Sequence, residues 1–236
     1  MREPPLPQTS APPRASGRRG AYAIDVVLFT PRGRQLAVLC DRSSDPRAHE
    51  RWQLPTDVVE GGETLEGAAR RIVRAAVGTE PTWIAQVGAF ADGRRHPSEV
   101  ELSIAYAAVV PASAIERTSG DAAWFAVSEP PTLPSQHRAI LDAAVEVLRL
   151  RVDSAPIAFH LLPERFTLTQ LQAMYELLLG RRLHKASFRR ALQATDLVEA
   201  TDEWRSEGRG RPAQYYRFQP RDRRGDATRA VRFDLL

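Results

Sequence analysis

The chain has 236 residues, 43% of them hydrophobic and 26% charged, enough apolar side chain for one large core or two small ones, which excludes a fibrous or wholly disordered class. No apolar run approaches the roughly 18 residues of a membrane span, and the single cysteine, Cys40, excludes an internal disulfide. The net charge of +4 is unevenly spread, about +3 over residues 1–20, −4 over 21–150 and +5 over 151–236, so the basic part is the C-terminal third.

Residues 1–20, rich in Pro, Arg, Ser and Gly and without the apolar centre of a secretory signal, read as a disordered tail, and a cytoplasmic location is expected. "AYAIDVVLF" and "QLAVLC" read as two strands joined by a turn at Pro31 and Gly33, with Cys40 a small buried hydrophobe. "LPTDVVEGGE" is expected as a loop. Residues 64–77 have a helical stripe, Leu65, Ala69, Ile72, Val73 and Ala76, closed by Gly78. Strand-like runs follow at "WIAQVGAF", "ELSIAYAAVV" and "AAWFAV", then a helix at "QHRAILDAAVEVLRLRV". Strands before and after helices make residues 21–153 an α+β domain.

From about residue 155 the texture changes. In "FTLTQLQAMYELLLG", Thr167 and Gln170 form a capping box, Leu171, Met174, Tyr175 and Leu178 repeat at helical spacing, and Gly180 ends the run. "KASFRRALQAT" resumes the spacing through Phe188, Ala191 and Leu192, so two short helices flank a tight turn. "LVEA", a polar loop "TDEWRSEGRGRP" and "AQYYRF" then read as a β-hairpin, giving a winged helix-turn-helix over 154–220. Residues 221–236 form a tail whose alternating Val231, Phe233 and Leu235 would suit an edge strand.

Nearly all positive charge is arginine, since Lys185 is the only lysine; arginine pairs bidentately with phosphate and guanine edges, although GC-rich coding gives the same composition. With Phe188, Ala191 and Leu192 facing the core, Lys185, Ser187, Arg189 and Arg190 face outward, as a helix reading double-stranded DNA requires. Arginines on a lone helix are more often simply solvated. Here the hairpin adds Arg205, and Arg209 and Arg211 in "GRGRP", whose glycines allow close backbone approach to a minor groove. Trp204 and Tyr215 read as packing of the hairpin rather than as stacking residues.

Residues 57–79 resemble the Nudix box, G-x5-E-x7-R-E-U-x-E-E-x-G-U, where U is aliphatic: Glu63, Arg71, Val73 and Gly78 match, and "RWQLP" precedes it. Asp57 replaces the first glycine. Ile72, Ala75 and Ala76 replace the three glutamates, whose i, i+3, i+4 spacing would gather hydrated Mg²⁺ on one helix face. No metal, cofactor or catalytic residue is therefore expected, and Glu60, Glu63 and Glu66 read as acids at a helix start. The alternative is a divergent Nudix hydrolase that recruits Glu60, Glu63 or Glu101 and acts on ADP-ribose or a dinucleotide.

Residues 161–200 with "GRGRPAQYYRF" are similar to the winged-helix half of the Nudix-related transcriptional regulators of the NrtR type, and the domain order agrees. The resemblance implies a homodimeric repressor of NAD biosynthesis or salvage genes on a palindromic operator, released by ADP-ribose or a related NAD metabolite bound in a catalytically inactive Nudix-like α/β/α sandwich. Ligand candidates are Arg42, Trp52, Arg71, Phe90, Arg95 and His137, the last also as a link between domains. Trp52 and Phe90 read equally as core, Arg71 as an anchor for Glu63, and His137 as ordinary packing. Gln136 and His184 depart from the family's usual aspartates, the second weakening a helix cap by about 1 kcal/mol.

Overall fold

A computed structural model describes residues 22–43, 49–91, 93, 96–98, 100–152, 155–195, 197–205 and 212–219. Both expected tails, Arg95, Arg209 and Arg211 lie outside these residues.

The N-terminal half is a mixed sheet of β1 (Tyr22–Arg32), β2 (Gln35–Arg42), β3 (Trp52–Gln53), β4 (Thr56–Asp57), β5 (Trp83–Phe90), β6 (Leu102–Val109) and β7 (Ala123–Ala126). Its order is β3-β2-β1-β6-β5; β4 also pairs with β1 and β7 with β2, and β1 runs parallel to β6. β1 is buried from Ala23 to Pro31 because both faces of the sheet are covered. Helix α1 (Leu65–Val77) packs Ala69, Ile72, Val73 and Ala76 against Ile24, Val26 and Leu28 on one face. Helix α2 (Ser135–Val152) packs Ile140, Leu141, Ala144 and Leu148 against Val27, Phe29, Ala105 and Ala107 on the other. The result is the expected α/β/α sandwich. Cys40 is buried, and burial followed by the nearby Asp41 charge pushes its thiol up to about 12.

The C-terminal half comprises α3 (Ile157–His160), β8 (Arg165–Thr167), α4 (Leu168–Leu179), α5 (Lys185–Gln193), β9 (Val198–Arg205) and β10 (Ala213–Phe218), with strand order β8-β10-β9. Thr167 and Gln170 form the expected capping box. Phe159 stacks on Phe218 at 4.5 Å, and Tyr175 meets Phe188 edge-on at 5.7 Å. Leu171, Tyr175 and Leu178 of α4 belong to the same apolar cluster as the inner face of α2, so the core is continuous across the two halves. Gly180, at φ 69°, ends α4 beneath Arg149 of α2, whose Nη2 would lie 3.0 Å from any added Cβ. Here glycine serves both the left-handed cap and the close approach of the halves.

Four local expectations differ from the structure. β1 continues through Pro31 to Arg32; the proline lies beyond the last β6 pairing, Phe29↔Val109, so its missing N–H costs no ladder bond on that side. Part of the expected loop after Leu54 forms β4, held by pairing of Thr56 with Asp25. β9 runs on through "TDEWR", and Trp204 is 57% exposed instead of packed. α3 and β8 are too short to show a period in sequence.

His184 is the N-cap of α5 but makes no side-chain bond to the helix backbone; its Nδ1 lies 3.2 Å from the Ser187 hydroxyl instead. His184→Ser is expected to stabilise the fold by about 1 kcal/mol, read as a higher urea midpoint at unchanged slope.

Candidate functional site

A cleft of about 500 Å³ opens over α1, between Arg42 at the end of β2, Thr56 and Asp57 of β4, and residues 119–122. α1 presents Arg71, Ile72, Ala75 and Ala76 to it. The amphipathic period that buries Ala69 and Val73 thus turns onto the cavity the positions where the Nudix box carries glutamates. The acids that remain in the box are engaged by arginines, Glu66 by Arg70 and the others by Arg71, while Asp41 and Asp121 also line the cleft. Arg71 binds Asp57 at 2.6 Å, Glu63 at 2.8 Å and the carbonyl of Val58 at 2.8 Å, with Glu60 at 3.5 Å. Its hydrogen bonds, the first of them to Glu63, raise the guanidinium pKa and lower that of Glu63. The box acids held by Arg71 do not fit hydrated Mg²⁺, which needs carboxylates free to face a diphosphate. Glu101 is exposed and lies outside the cleft lining.

Polar groups of another kind face the cleft. Arg42 lies 5.0 Å over the ring of Trp52, and Trp52 meets Phe125 edge-on at 4.8 Å. The hydroxyl of Thr56 is buried with no hydrogen-bond partner among the described residues. Arg42 and Arg71 therefore share one pocket, with Trp52 adjoining through Arg42. Trp52 and Phe90 both pack against the α2-side core, and the carbonyl of Phe90 accepts from Gln136 at 3.2 Å. Gln136, where the family shows aspartate, keeps an interelement bond but leaves its own buried Oε1 without a partner among the described residues.

His137 is wholly buried and cannot touch a ligand in the cleft; it belongs to a polar cluster that no sequence pattern announces. Asp25 on β1 accepts from Nε2 of His96 at 3.0 Å, from Nε2 of His137 at 3.1 Å and from the Ser103 hydroxyl, all inside the core. The backbone N–H of Leu54 donates to His137 Nδ1 at 2.9 Å, and that of Ser98 to His96 Nδ1 at 3.0 Å. A backbone N–H is only a donor, so each Nδ1 accepts and each neutral ring carries its proton on Nε2, pointing at Asp25. Ligand atoms of the three side chains lie within 4.8 Å of one another, as a metal site would require. A metal-binding imidazole, however, donates its other N–H to an acceptor, and here both other nitrogens face donors. The cluster is a carboxylate held by donors. Burial pushes Asp25 up, but the hydrogen bonds of His137 and then His96 outweigh it and hold the carboxyl well below the usual range. Its one trace in the sequence is an aspartate inside the apolar run "AIDVVLF".

On the other half, Phe188 and Leu192 bury one side of α5 while Lys185, Ser187, Arg189 and Arg190 are exposed on the other. Arg205 is half-buried at the outer end of β9 beside Glu203 and Tyr215, and Glu203 is paired with Arg165. Trp204, paired across the hairpin with Gln214, adds a large exposed ring to the wing.

Sequence profiles agree with this architecture. Residues 20–144 match the NUDIX domain, and residues 158–218 match the NrtR DNA-binding winged helix domain. The chain belongs to the NUDIX family. It is 29% identical over 206 residues to the ADPR responsive transcriptional repressor NtrR of Acinetobacter baylyi, covering 84% of this chain and 82% of that protein. Shewanella oneidensis NrtR, in its crystal structure with a 27mer DNA, superposes with a TM-score of 0.73 at 29% identity, over 85% of this chain and 94% of that one. A MutT/nudix family protein from Enterococcus faecalis shares the fold, with a TM-score of 0.64 at 19% identity over 92% of this chain and 90% of that one. Within this NUDIX-family chain no helix among the described residues is long and apolar enough to cross a membrane.

The Asp25 carboxyl titrates below its ordinary value of 3.8 when folded, so it stabilises the fold above about pH 4 and that contribution is lost as pH falls through the depressed value. Asp25→Asn is expected to flatten the decline of the urea midpoint between about pH 5 and pH 2. A slope unchanged from the wild type would show that the carboxylate is not held as described.

Proposed function

We propose that this protein is a DNA-binding transcriptional repressor that leaves its operator when ADP-ribose or a related NAD metabolite occupies the cleft over α1, and that it is not a hydrolase. The observation that carries this reading is one chain holding a Nudix cleft walled by Ile72, Ala75 and Ala76 together with an outward basic face on α5. Hydrolysis of a phosphoanhydride needs cations to orient water and neutralise the phosphoryl oxygens, and the acids that would hold them are engaged by Arg71. Binding needs less. Arg42 offers charge and a fork for a diphosphate, and the Thr56 hydroxyl offers a hydrogen bond. Trp52, Phe90 and Arg95 complete the ligand set proposed from the sequence.

On the DNA side, Lys185 and Ser187 at the start of α5 meet base edges, and Arg189 and Arg190 reach phosphates. Arg205, Arg209 and Arg211 serve the wing. The relative from Acinetobacter, named an ADPR responsive repressor, and the Shewanella NrtR bound to DNA support both halves of the reading. The domain limits expected from sequence, 21–153 and 154–220, assign α2 to the sensor as the joining helix. A symmetric dimer on a palindromic operator, in the cytoplasm and upstream of NAD-related genes, follows from the same kinship.

Titration of ADP-ribose into the protein bound to the palindrome beside its gene, followed by mobility shift, should weaken DNA binding between about 5- and 150-fold, a coupling of about 1–3 kcal/mol. Mg²⁺-dependent release of AMP from ADP-ribose at ordinary enzymatic speed would refute it. Arg189→Ala with Arg190→Ala should lower DNA affinity and reduce the salt slope by about 0.9 for each phosphate left without its arginine. ADP-ribose affinity should be unchanged.

A further inference from the structure

The cleft and the DNA-binding half do not touch directly, so a repressor needs a physical link between them. Pro55, Thr56 and Asp57 form one wall of the cleft, and the next residue back, Leu54, is wholly buried and donates its N–H to His137 Nδ1 at 2.9 Å. His137 lies in the first turn of α2, whose later turns pack Ile140, Leu141, Ala144 and Leu148 in one cluster with Leu171, Tyr175 and Leu178 of α4. Asp25 holds the other ring nitrogen at 3.1 Å and also pairs, strand to strand, with Thr56 of the wall. We propose that His137 is the positioning residue through which occupancy of the cleft reaches the DNA-binding half, its ring tying the wall strand to the joining helix.

The geometry fixes the link in one arrangement. With Leu54 bonded to Nδ1 and Asp25 to Nε2, the imidazole is fixed at both ends and α2 keeps its present pose. A ligand that draws the Thr56 wall toward itself displaces Leu54, and a buried N–H cannot lose its acceptor without cost, so the ring and the start of α2 follow. The core cannot deform by degrees around a helix packed on both sides, and the shift passes to α4 as a rigid step. Glycine at 180 lets Arg149 of α2 ride directly over the end of α4, a second point of contact that moves with the helix.

This inference rests on the repressor reading, and one set of titrations separates the two. His137→Gln places an amide near the Nε2 position, keeping a donor for Asp25 while removing the acceptor for Leu54; His137→Asn places its carbonyl near Nδ1 and keeps that acceptor. Operator affinity is measured for wild type and both variants with and without saturating ADP-ribose, and ADP-ribose affinity is measured directly. For His137→Gln, DNA and ADP-ribose affinities taken separately should stay within a few-fold of wild type, while the ratio of DNA affinities with and without ADP-ribose falls toward 1. His137→Asn should retain the larger ratio. A wild-type ratio in His137→Gln, or a smaller ratio in His137→Asn than in His137→Gln, overturns the proposal. Should either variant fail to fold, ¹⁵N-histidine spectra of the wild type decide: the His137 ring resonances should shift on adding ADP-ribose, and unmoved resonances overturn it. Wild type that holds its operator at saturating ADP-ribose defeats the repressor reading instead.

Discussion

Helix α2 is buried against two things at once. Its inner residues close one face of the Nudix sheet and also seat α4 of the winged helix, so Ile140, Leu141, Ala144 and Leu148 belong to a single apolar cluster running from β1 to α5. Separating the halves would expose that cluster to water, at about 25 cal/mol for each Å² of apolar surface. The winged helix is therefore carried on the sheet as part of one packed body, and its orientation is set by whatever sets α2. The polar cluster at the start of α2 lies inside this same body, with His137 wholly buried.

The opposite face of the sheet follows a different logic. α1 keeps the cap, the period and the closing glycine of a Nudix helix: Thr64 caps Gly67, and Gly78 adopts a left-handed conformation. The framework that places carboxylates in the Nudix box here places a methyl wall. Arg71 gathers Asp57, Glu63 and Glu60 and fixes the loop that precedes the helix. Most of these acids are substantially exposed, so each pair adds little to stability by itself. Their collective effect is to tie the loop before α1 to the helix.

The two halves also solve burial of polarity differently. In the winged helix, polar groups are kept at the surface or used in caps, as with Thr167 and Gln170 or with Glu176, which accepts from the Leu183 amide. In the sandwich, a full carboxylate is taken into the core and surrounded by donors from β6, α2 and the segment before β6. A charge so placed is costly when any partner is lost, which makes the relative placement of those elements stringent.

The sequence by itself determined the order of elements, the helix stripes and caps, the absence of acids at positions 72, 75 and 76, and the outward basic face of α5. Each of these is a local property, readable from period, from the chemistry of Thr, Gln and Gly at helix ends, and from residue type at a known spacing. Tertiary structure alone decided the rest. It extended β9 through the polar "TDEWR", because a cross-strand partner in β10 satisfies that backbone, and it left Trp204 exposed. It divided the candidate ligand residues, placing Arg42 and Arg71 on the cleft and enclosing His137. It also brought Asp25, His96 and His137 together from positions 71 and 112 residues apart, a meeting produced by sheet pairing and helix packing, which no pattern along the chain encodes.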